Sequence, residues 1–331
     1  MYGYSTSMFL INSFIYSSAP PVETEFKITV DTTQPGSASD TFVLPLQNGA
    51  TNMTVYWGDG SSDVITAWNQ AELTHVYASS GTYQISCDGQ FRGVYFAWSG
   101  DRLKVSSIDN WGINQWGSMF YAFGGCFNMV ANFTGNPDTS LCDNFSRCFQ
   151  DCSLFNAPFT LDLSACSNTS FMFGGCASFN SELTFTNTSN IVAMNHMFYS
   201  CNSYNSPLNI EDTSNVTEMG VMFTGSPFNQ PLDFDTSSVT NMGSMFLYCS
   251  AFNQDLSGFN ISSLTSAASM FLYSPFSTAN YDLLLVSWQS QAHNNNVSLS
   301  AGSAKYSSGA PATARASLIS DGWTITDGGA V

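Results

Sequence analysis

Seven phenylalanines, Phe123, Phe149, Phe173, Phe198, Phe223, Phe246 and Phe271, are separated by 26, 24, 25, 25, 23 and 25 residues. A period this steady and this short is the sequence signature of a solenoid, in which each repeat packs only on its neighbours. Downstream of the anchor come a small residue, an aromatic and an asparagine: Cys152, Phe155 and Asn156, then Cys176, Phe179 and Asn180, then Cys201, Tyr204 and Asn205. Ser226, Phe228 and Asn229 follow in a turn one residue shorter, and Cys249, Phe252 and Asn253 restore the spacing. Cys126 at one end, and Ser274 with Phe276 at the other, complete the column. Seven residues before each anchor lie Trp116, Cys142, Cys166, Ile191, Val216, Val239 and Leu264, and one before lie Ala122, Cys148, Met172, Met197, Met222, Met245 and Met270.

Past the anchor, Phe159, Leu183, Leu208, Leu232 and Leu256 begin an alternation continued by Leu161, Phe185, Ile210 and Phe234. That is the period of a strand, one per turn. Seven turns stacked at strand spacing make a rod about 30 Å long. Stacked Cys126, Cys152, Cys176 and Cys201, interchanging with Ser226 and Ser274, mark a slot for a small buried side chain. In-register neighbours sit farther apart than a disulfide prefers, so free thiols are expected. No Cys-x-x-Cys pair or Cys and His cluster suggests zinc, and no cofactor or metal is expected.

Ahead of the repeats, residues 23–95 read as a small all-β unit. Phe26, Ile28 and Val30, then Phe42, Leu44 and Leu46, then Met53, Val55 and Trp57 alternate as half-buried strands, with turn signals between them. The stretch WGDGS at 57–61 followed by HVYASSGTYQIS at 75–86 resembles the polycystic-kidney-disease (PKD) type of immunoglobulin-like domain over about 70 residues. The resemblance implies core roles for Trp57 and Tyr83, a turn around Asp59, a packed position for His75, and a spacer or contact module without catalysis.

The stretches TSNIVAM at 188–194, TSNVTEM at 213–219 and TSSVTNM at 236–242, each leading to a Met-Phe pair, resemble the BspA-like repeats, a leucine-rich-repeat branch also called DUF285. The lead-in LKVSSIDNWG at 103–112 fits the start of such an array, and GWTITDGG at 322–329 its close. The resemblance implies attachment to cells or matrix, since members are mostly bacterial surface adhesins and lipoproteins, with relatives in viruses and protists.

The fold class is therefore mainly β: a PKD-like sandwich over 23–95, a leucine-rich-repeat-like solenoid over 96–280, and an α/β cap over 281–331 with helices near Tyr281 to Trp288 and Ala312 to Ile319. Residues 1–22 are apolar, lack Lys and Arg ahead of the apolar stretch, and have no cysteine before Cys87, so they are expected to be retained as a docking segment that also drives homo-oligomer formation.

With 24 acidic against 7 basic side chains, the net charge of −17 repels a phosphate backbone, which excludes nucleic acid as a partner. No apolar run spans a membrane. His75, His196 and His293 are scattered, so no catalytic constellation is expected, and the residues singled out are structural: Trp57, Asp59, Tyr83, Phe149, Cys152, Phe173, Cys176, Phe198, Cys201, Phe223, Phe246, Cys249 and Phe271. Glu211, Asp212, Asp233 and Asp235 read as solvated turn and strand residues. The expected protein is a non-enzymatic virion surface protein that joins other virion proteins through residues 1–22 and meets a host-surface glycan or protein. A bacterial cell-surface adhesin and a purely structural decoration or filament subunit are the alternatives.

Overall fold

The computed structural model describes residues 23–331; the expected docking segment lies outside the described residues. The fold is mostly β with few helices. In the first unit, β1 (Phe26–Asp31), β2 (Thr41–Val43), β3 (Thr51–Tyr56), β4 (Ser62–Ile65), β5 (Thr74–Val76) and β6 (Thr82–Phe91) form along the alternating segments. Phe26, Ile28 and Val30 of β1 all point inward and are buried, which is what a two-residue side-chain period demands of a strand with one covered face. β2 pairs only with β5, while the others build a sheet in the order β4, β3, β6, β1. The turn after β3 is closed by the Trp57 N–H donating to Ser61 O at 3.1 Å. Gly58 has φ +86°, and a Cβ there would overlap the Gln84 carbonyl, so glycine is required for that close approach.

This sheet does not stop at residue 95. The lead-in forms β7 (Val105–Asn110), which pairs antiparallel with β1 on one side and parallel with β8 (Val130–Ala131) on the other. One strand thus belongs to the first unit and to the start of the repeats, and β1 covers an edge that would otherwise stand open.

The repeats stack in register. Anchor rings follow one another at 5.7 Å between Phe123 and Phe149, 5.5 Å to Phe173, 5.7 Å to Phe198, 5.6 Å to Phe223, 5.7 Å to Phe246 and 5.8 Å to Phe271. Each is buried, worth roughly 1.5–3 kcal/mol of transfer free energy. A parallel ladder runs without a break through Asn168, Ala193, Glu218, Asn241, Ser266, Ser298 and Thr324. Its last three rungs lie in β12 (Ser266–Ala267), β13 (Ser298–Ser300) and β14 (Thr324–Thr326). A second ladder joins β9 (Phe159–Asp162), β10 (Leu183–Thr186) and β11 (Leu208–Ile210), with Leu183 opposite both Phe159 and Leu208. The regular strand ends there; Leu232 to Phe234 and Leu256 keep their places in the turn without forming one.

The asparagine after each second aromatic links the turns. Asn156 Oδ1 accepts the Asn180 N–H at 2.9 Å, Asn180 that of Asn205 at 2.8 Å, Asn205 that of Asn229 at 2.7 Å, and Asn229 that of Asn253 at 2.9 Å. Backbone donors that the irregular arc leaves without a ladder partner are met by these side chains.

Spacing alone starts the array at Phe123, but the structure adds a turn before it. The Phe96 N–H donates to Ala122 O at 3.1 Å and that of Trp98 to Gly124 O at 2.9 Å, the same relation in which Phe123 meets Cys148 O and Gly125 meets Gln150 O. Ser99 stands at the corresponding position, exposed at the start of the array, its hydroxyl on Phe96 O at 3.0 Å, as that of the buried Ser226 is on Phe223 O at 2.8 Å.

At the far end, α1 (Thr278–Ser290) starts from Ser277, whose side chain caps Asn280 N, and buries Tyr281, Leu284, Leu285 and Trp288, one face at i, i+3, i+4 and i+7. α2 (Ala310–Ser320) carries Pro311 in its first turn, where the missing N–H is harmless. Arg315 Nε donates to Asp327 Oδ2 at 2.6 Å, which ties α2 to the segment after β14.

Candidate interaction surface

Each turn reverses direction on both sides of its buried phenylalanine. Two residues before the anchor, Tyr121, Arg147, Phe171, His196, Val221, Ser244 and Ser269 all have φ between +53° and +63°. Two residues after it, Gly125, Asp151, Gly175, Ser200, Gly225, Tyr248 and Tyr273 also have positive φ. For a residue with a Cβ this left-handed conformation costs about 1–2 kcal/mol, and glycine, asparagine or aspartate tolerate it best. None of those three stands in the leading row. Packing of the anchors fixes the backbone there, but it does not ask for Tyr, Arg, Phe and His in four successive turns.

Those four side chains form one stack along successive turns. The Arg147 guanidinium lies over the Phe171 ring at 4.2 Å and over the Tyr121 ring at 5.6 Å. Phe171 and the His196 imidazole are parallel at 4.1 Å, and Trp98 meets Tyr121 edge-on at 5.2 Å. All four are partly exposed. Because the groups cover one another's faces, it is their edges that meet solvent. Further along, Tyr248 and Tyr273 stack at 4.6 Å and are 56% and 64% exposed, so aromatic edges reappear on the trailing row.

The cations of the chain divide into paired and unpaired, and among the described residues Arg102 and Lys305 share with Arg147 the lack of an ion pair. Lys27, Arg92, Lys104 and Arg315 each have a carboxylate partner, with Asp143 serving Arg92. Among the described residues Arg147 has no carboxylate within ion-pair distance; its Nη1 donates instead to Gln150 Oε1 at 2.9 Å. Asp151 is turned towards Trp98, accepting from the indole Nε1 at 3.0 Å, and burial raises its pKa. Gly175 leaves room for it, since a Cβ there would overlap the Asp151 carboxylate. Burial, with help from Arg147, lowers the pKa of His196. Asn195 Oδ1 accepts the Ser170 hydroxyl at 2.6 Å, so its amide donates to His196 Nδ1 at 3.1 Å and leaves the imidazole proton on Nε2.

The strand face differs in character. A shallow depression of about 470 Å³ is lined by Thr184, Thr186, Asn209, Glu211, Asp233 and Phe234. Glu211 accepts the Asn187 N–H at 2.6 Å, while Asp212 and Asp235 accept the N–H groups of Ser214 and Ser237. These acids cap turns.

The residues singled out in the sequence lie inside or at turns, except Tyr83, which is half-buried in β6 against the core where a core position is expected. Trp57 is buried, donates from Nε1 to Asp63 Oδ2 at 2.8 Å, and stacks on His75 at 4.8 Å. Tyr83 stacks on Tyr77 at 3.7 Å and its hydroxyl donates to Ser79 O. Asp59 is raised by burial but held overall at about 2 by the Ser61 hydroxyl, His75 and the Ser61 N–H. Asp59, His75 and Ser61 have the composition of a hydrolytic triad, yet Asp59 Oδ2 at 2.9 Å and Ser61 Oγ at 3.5 Å both address the same nitrogen, Nε2. A relay needs them on opposite nitrogens.

Phe149, Phe173, Phe198, Phe223, Phe246 and Phe271 are the interior column. The thiols of Cys152, Cys176, Cys201 and Cys249 each donate to the anchor carbonyl of an earlier turn, at 3.1, 2.9, 2.9 and 3.1 Å. All nine cysteines are free and buried. Sequence reasoning passed over the outward stack; its signal is the column two residues before the anchor, where Tyr, Arg, Phe and His succeed one another in positions that core packing leaves open.

No curated protein and no solved structure matches the chain. A family model described as a Mycoplasma protein of unknown function, DUF285, matches residues 117–233 and, overlapping them, 208–308. The two matches together follow the stacked turns from just before the Phe123 anchor into the terminal cap, more than half of the chain, and the protein belongs to the DUF285 family.

Proposed function

We propose that this chain is a non-enzymatic, surface-displayed contact protein. In this reading residues 23–95 are a PKD-like sandwich acting as spacer, residues 96–280 are a BspA-like solenoid, and residues 281–331 cap it. The observation that carries the proposal is the stack of Tyr121, Arg147, Phe171 and His196 along one side of an in-register array. A rigid side face with specific outward groups suits recognition of a large, shallow surface, which is how stacked repeats usually bind. The absence of enzyme activity is supported by His75, whose two polar neighbours share one nitrogen.

The carrier is proposed to be a virion, with a bacterial cell surface as the alternative. The test uses the full chain. Labelled protein should bind host cells saturably and be displaced by unlabelled protein; a chain that binds no cell, and instead polymerises alone, would establish the purely structural reading. Immunogold imaging of the native source places the chain on particles or on cells.

A further inference from the structure

We propose that the stack of Tyr121, Arg147, Phe171 and His196 recognises a saccharide bearing an isolated carboxylate, with the Arg147 guanidinium as the group that reads it; this rests on the array being a contact surface. The first support is the state of Arg147. In a chain of net charge −17, this arginine has no carboxylate partner among the described residues and is clamped between aromatic faces. A guanidinium held by its faces lies in a fixed plane, and with Nη1 engaged by Gln150 at 2.9 Å it is the Nε and Nη2 side that can grip a carboxylate by two parallel hydrogen bonds.

The second support is the sign of the side chains stacked with it, since Asp151, the acid that feels the charge of Arg147, is taken up by the Trp98 indole at 3.0 Å. Aromatic edges carry partial positive charge, so the Phe171 edge attracts oxygen. His196, neutral and protonated on Nε2, is a donor, and Tyr121 ends in a hydroxyl. The strip is therefore a line of donors whose complement is rich in oxygen.

Main-chain saturation selects among oxygen-rich partners. The Arg147 N–H is bonded to Ser170 O, that of Phe171 to Asn195 O and that of His196 to Gly220 O, turn to turn. A peptide that binds by adding its backbone finds no free partners here. A saccharide needs only side-chain donors. The overall charge of −17 disfavours a densely charged polyanion, which leaves a glycan with sparse carboxylates, one for one cation.

Sialyllactose and a galacturonate-terminated disaccharide represent two sources of a carboxylated pyranose, with lactose as the neutral control. Titration of the full chain, followed by calorimetry or ligand-observed NMR, should show binding of one or both acidic sugars and at least tenfold weaker binding of lactose. Arg147→Gln should lower that affinity about 10- to 100-fold, the value of a charge-assisted hydrogen bond. Arg147→Lys, which keeps the charge and lacks the fork, should fall between, and a melting curve within a few degrees of the parent shows that each variant folds. Equal affinity for lactose, or an Arg147→Gln protein that binds as the parent does, overturns the proposal. So does binding of an acidic peptide with no binding of either acidic sugar. Host-cell binding that survives Arg147→Gln sinks this assignment and leaves the contact-protein reading standing, whereas a full chain that never binds cells sinks the latter.

Discussion

The thiol of Cys176 donates to the carbonyl oxygen of Phe149 at 2.9 Å, reaching from one turn of the array to the one before. Where serine takes this slot, the hydroxyl bonds within its own turn instead, Ser274 to Phe271 O at 2.8 Å. The difference follows from the longer reach of sulfur. Cys176→Ser should therefore fold and lose the inter-turn contact, at a cost of about 1 kcal/mol. Cys176→Val adds bulk to a closed slot and should cost about 1–3 kcal/mol. Urea unfolding of both variants ranks them; a valine that stabilises would show that the slot has room. Burial pushes the thiol pKa of Cys176 well above its ordinary value and that of Cys249 up to about 12, so native protein should react slowly with a thiol reagent and quickly once unfolded.

Tyr204 occupies the second aromatic column between Phe179 and Phe228, stacked at 5.7 and 5.8 Å. Its hydroxyl is buried and has no hydrogen-bond partner among the described residues. Neighbouring turns carry phenylalanine there, and Tyr204→Phe removes an unmet polar group without altering the ring. The substitution should stabilise the protein by about 1 kcal/mol, read as a higher urea midpoint with unchanged slope. A lower midpoint would mean that the hydroxyl is satisfied in solution.

What was legible in the sequence was the interior, because a core column must repeat its chemistry: Phe123 to Phe271 cannot drift without breaking the stack. The outward column carries no such constraint, so Tyr121, Arg147, Phe171 and His196 look unrelated until the left-handed backbone places them in one line. The turn at Phe96 escaped for another reason. It lies 27 residues before Phe123, uses Ser99 in place of cysteine, and sits where the β-unit's strand pattern ends. Nor does spacing reveal that β7 pairs with β1, since that contact depends on how the first unit meets the array. The helices of the cap were legible from apolar positions on one face, such as Leu284 and Trp288.

Lys104 joins the two regions in a way no local pattern shows. Its side chain is fully buried, and Nζ donates to Thr41 O at 2.7 Å, Ala38 O at 2.8 Å and Ser37 Oγ at 3.0 Å, with Asp101 Oδ1 at 3.7 Å. Asp101 in turn accepts from the N–H groups of Ser37 and Val43. Lys104→Met leaves that carboxylate buried without its cation, which should cost about 3–5 kcal/mol. Since β7 is common to both regions, calorimetry of the parent should show the first unit and the array unfolding in one transition. Two separate transitions in the parent would show that the shared strand does not couple them.

Asp59 contributes to the pH dependence of the first unit, beside Asp31 and Asp109, whose pKa values are also lowered. Burial would raise its carboxyl, but the Ser61 hydroxyl, His75 and the Ser61 N–H outweigh it and hold the folded pKa at about 2, below the ordinary 3.8. A depressed carboxylate favours the folded state while it is ionised, because the unfolded chain binds the proton more tightly. Its contribution is therefore complete above about pH 4 and is lost as the pH falls from there to about 2. Asp59→Asn cannot ionise, yet its side-chain oxygen can still accept the Ser61 N–H. That variant should be less stable than the parent at pH 7, and the gap between them should close on acidification through this window. Denaturation at pH 7, 4 and 2.5 measures the gap directly. A gap that stays constant across the three values would mean that Asp59 acts through turn geometry alone, with its charge making no contribution.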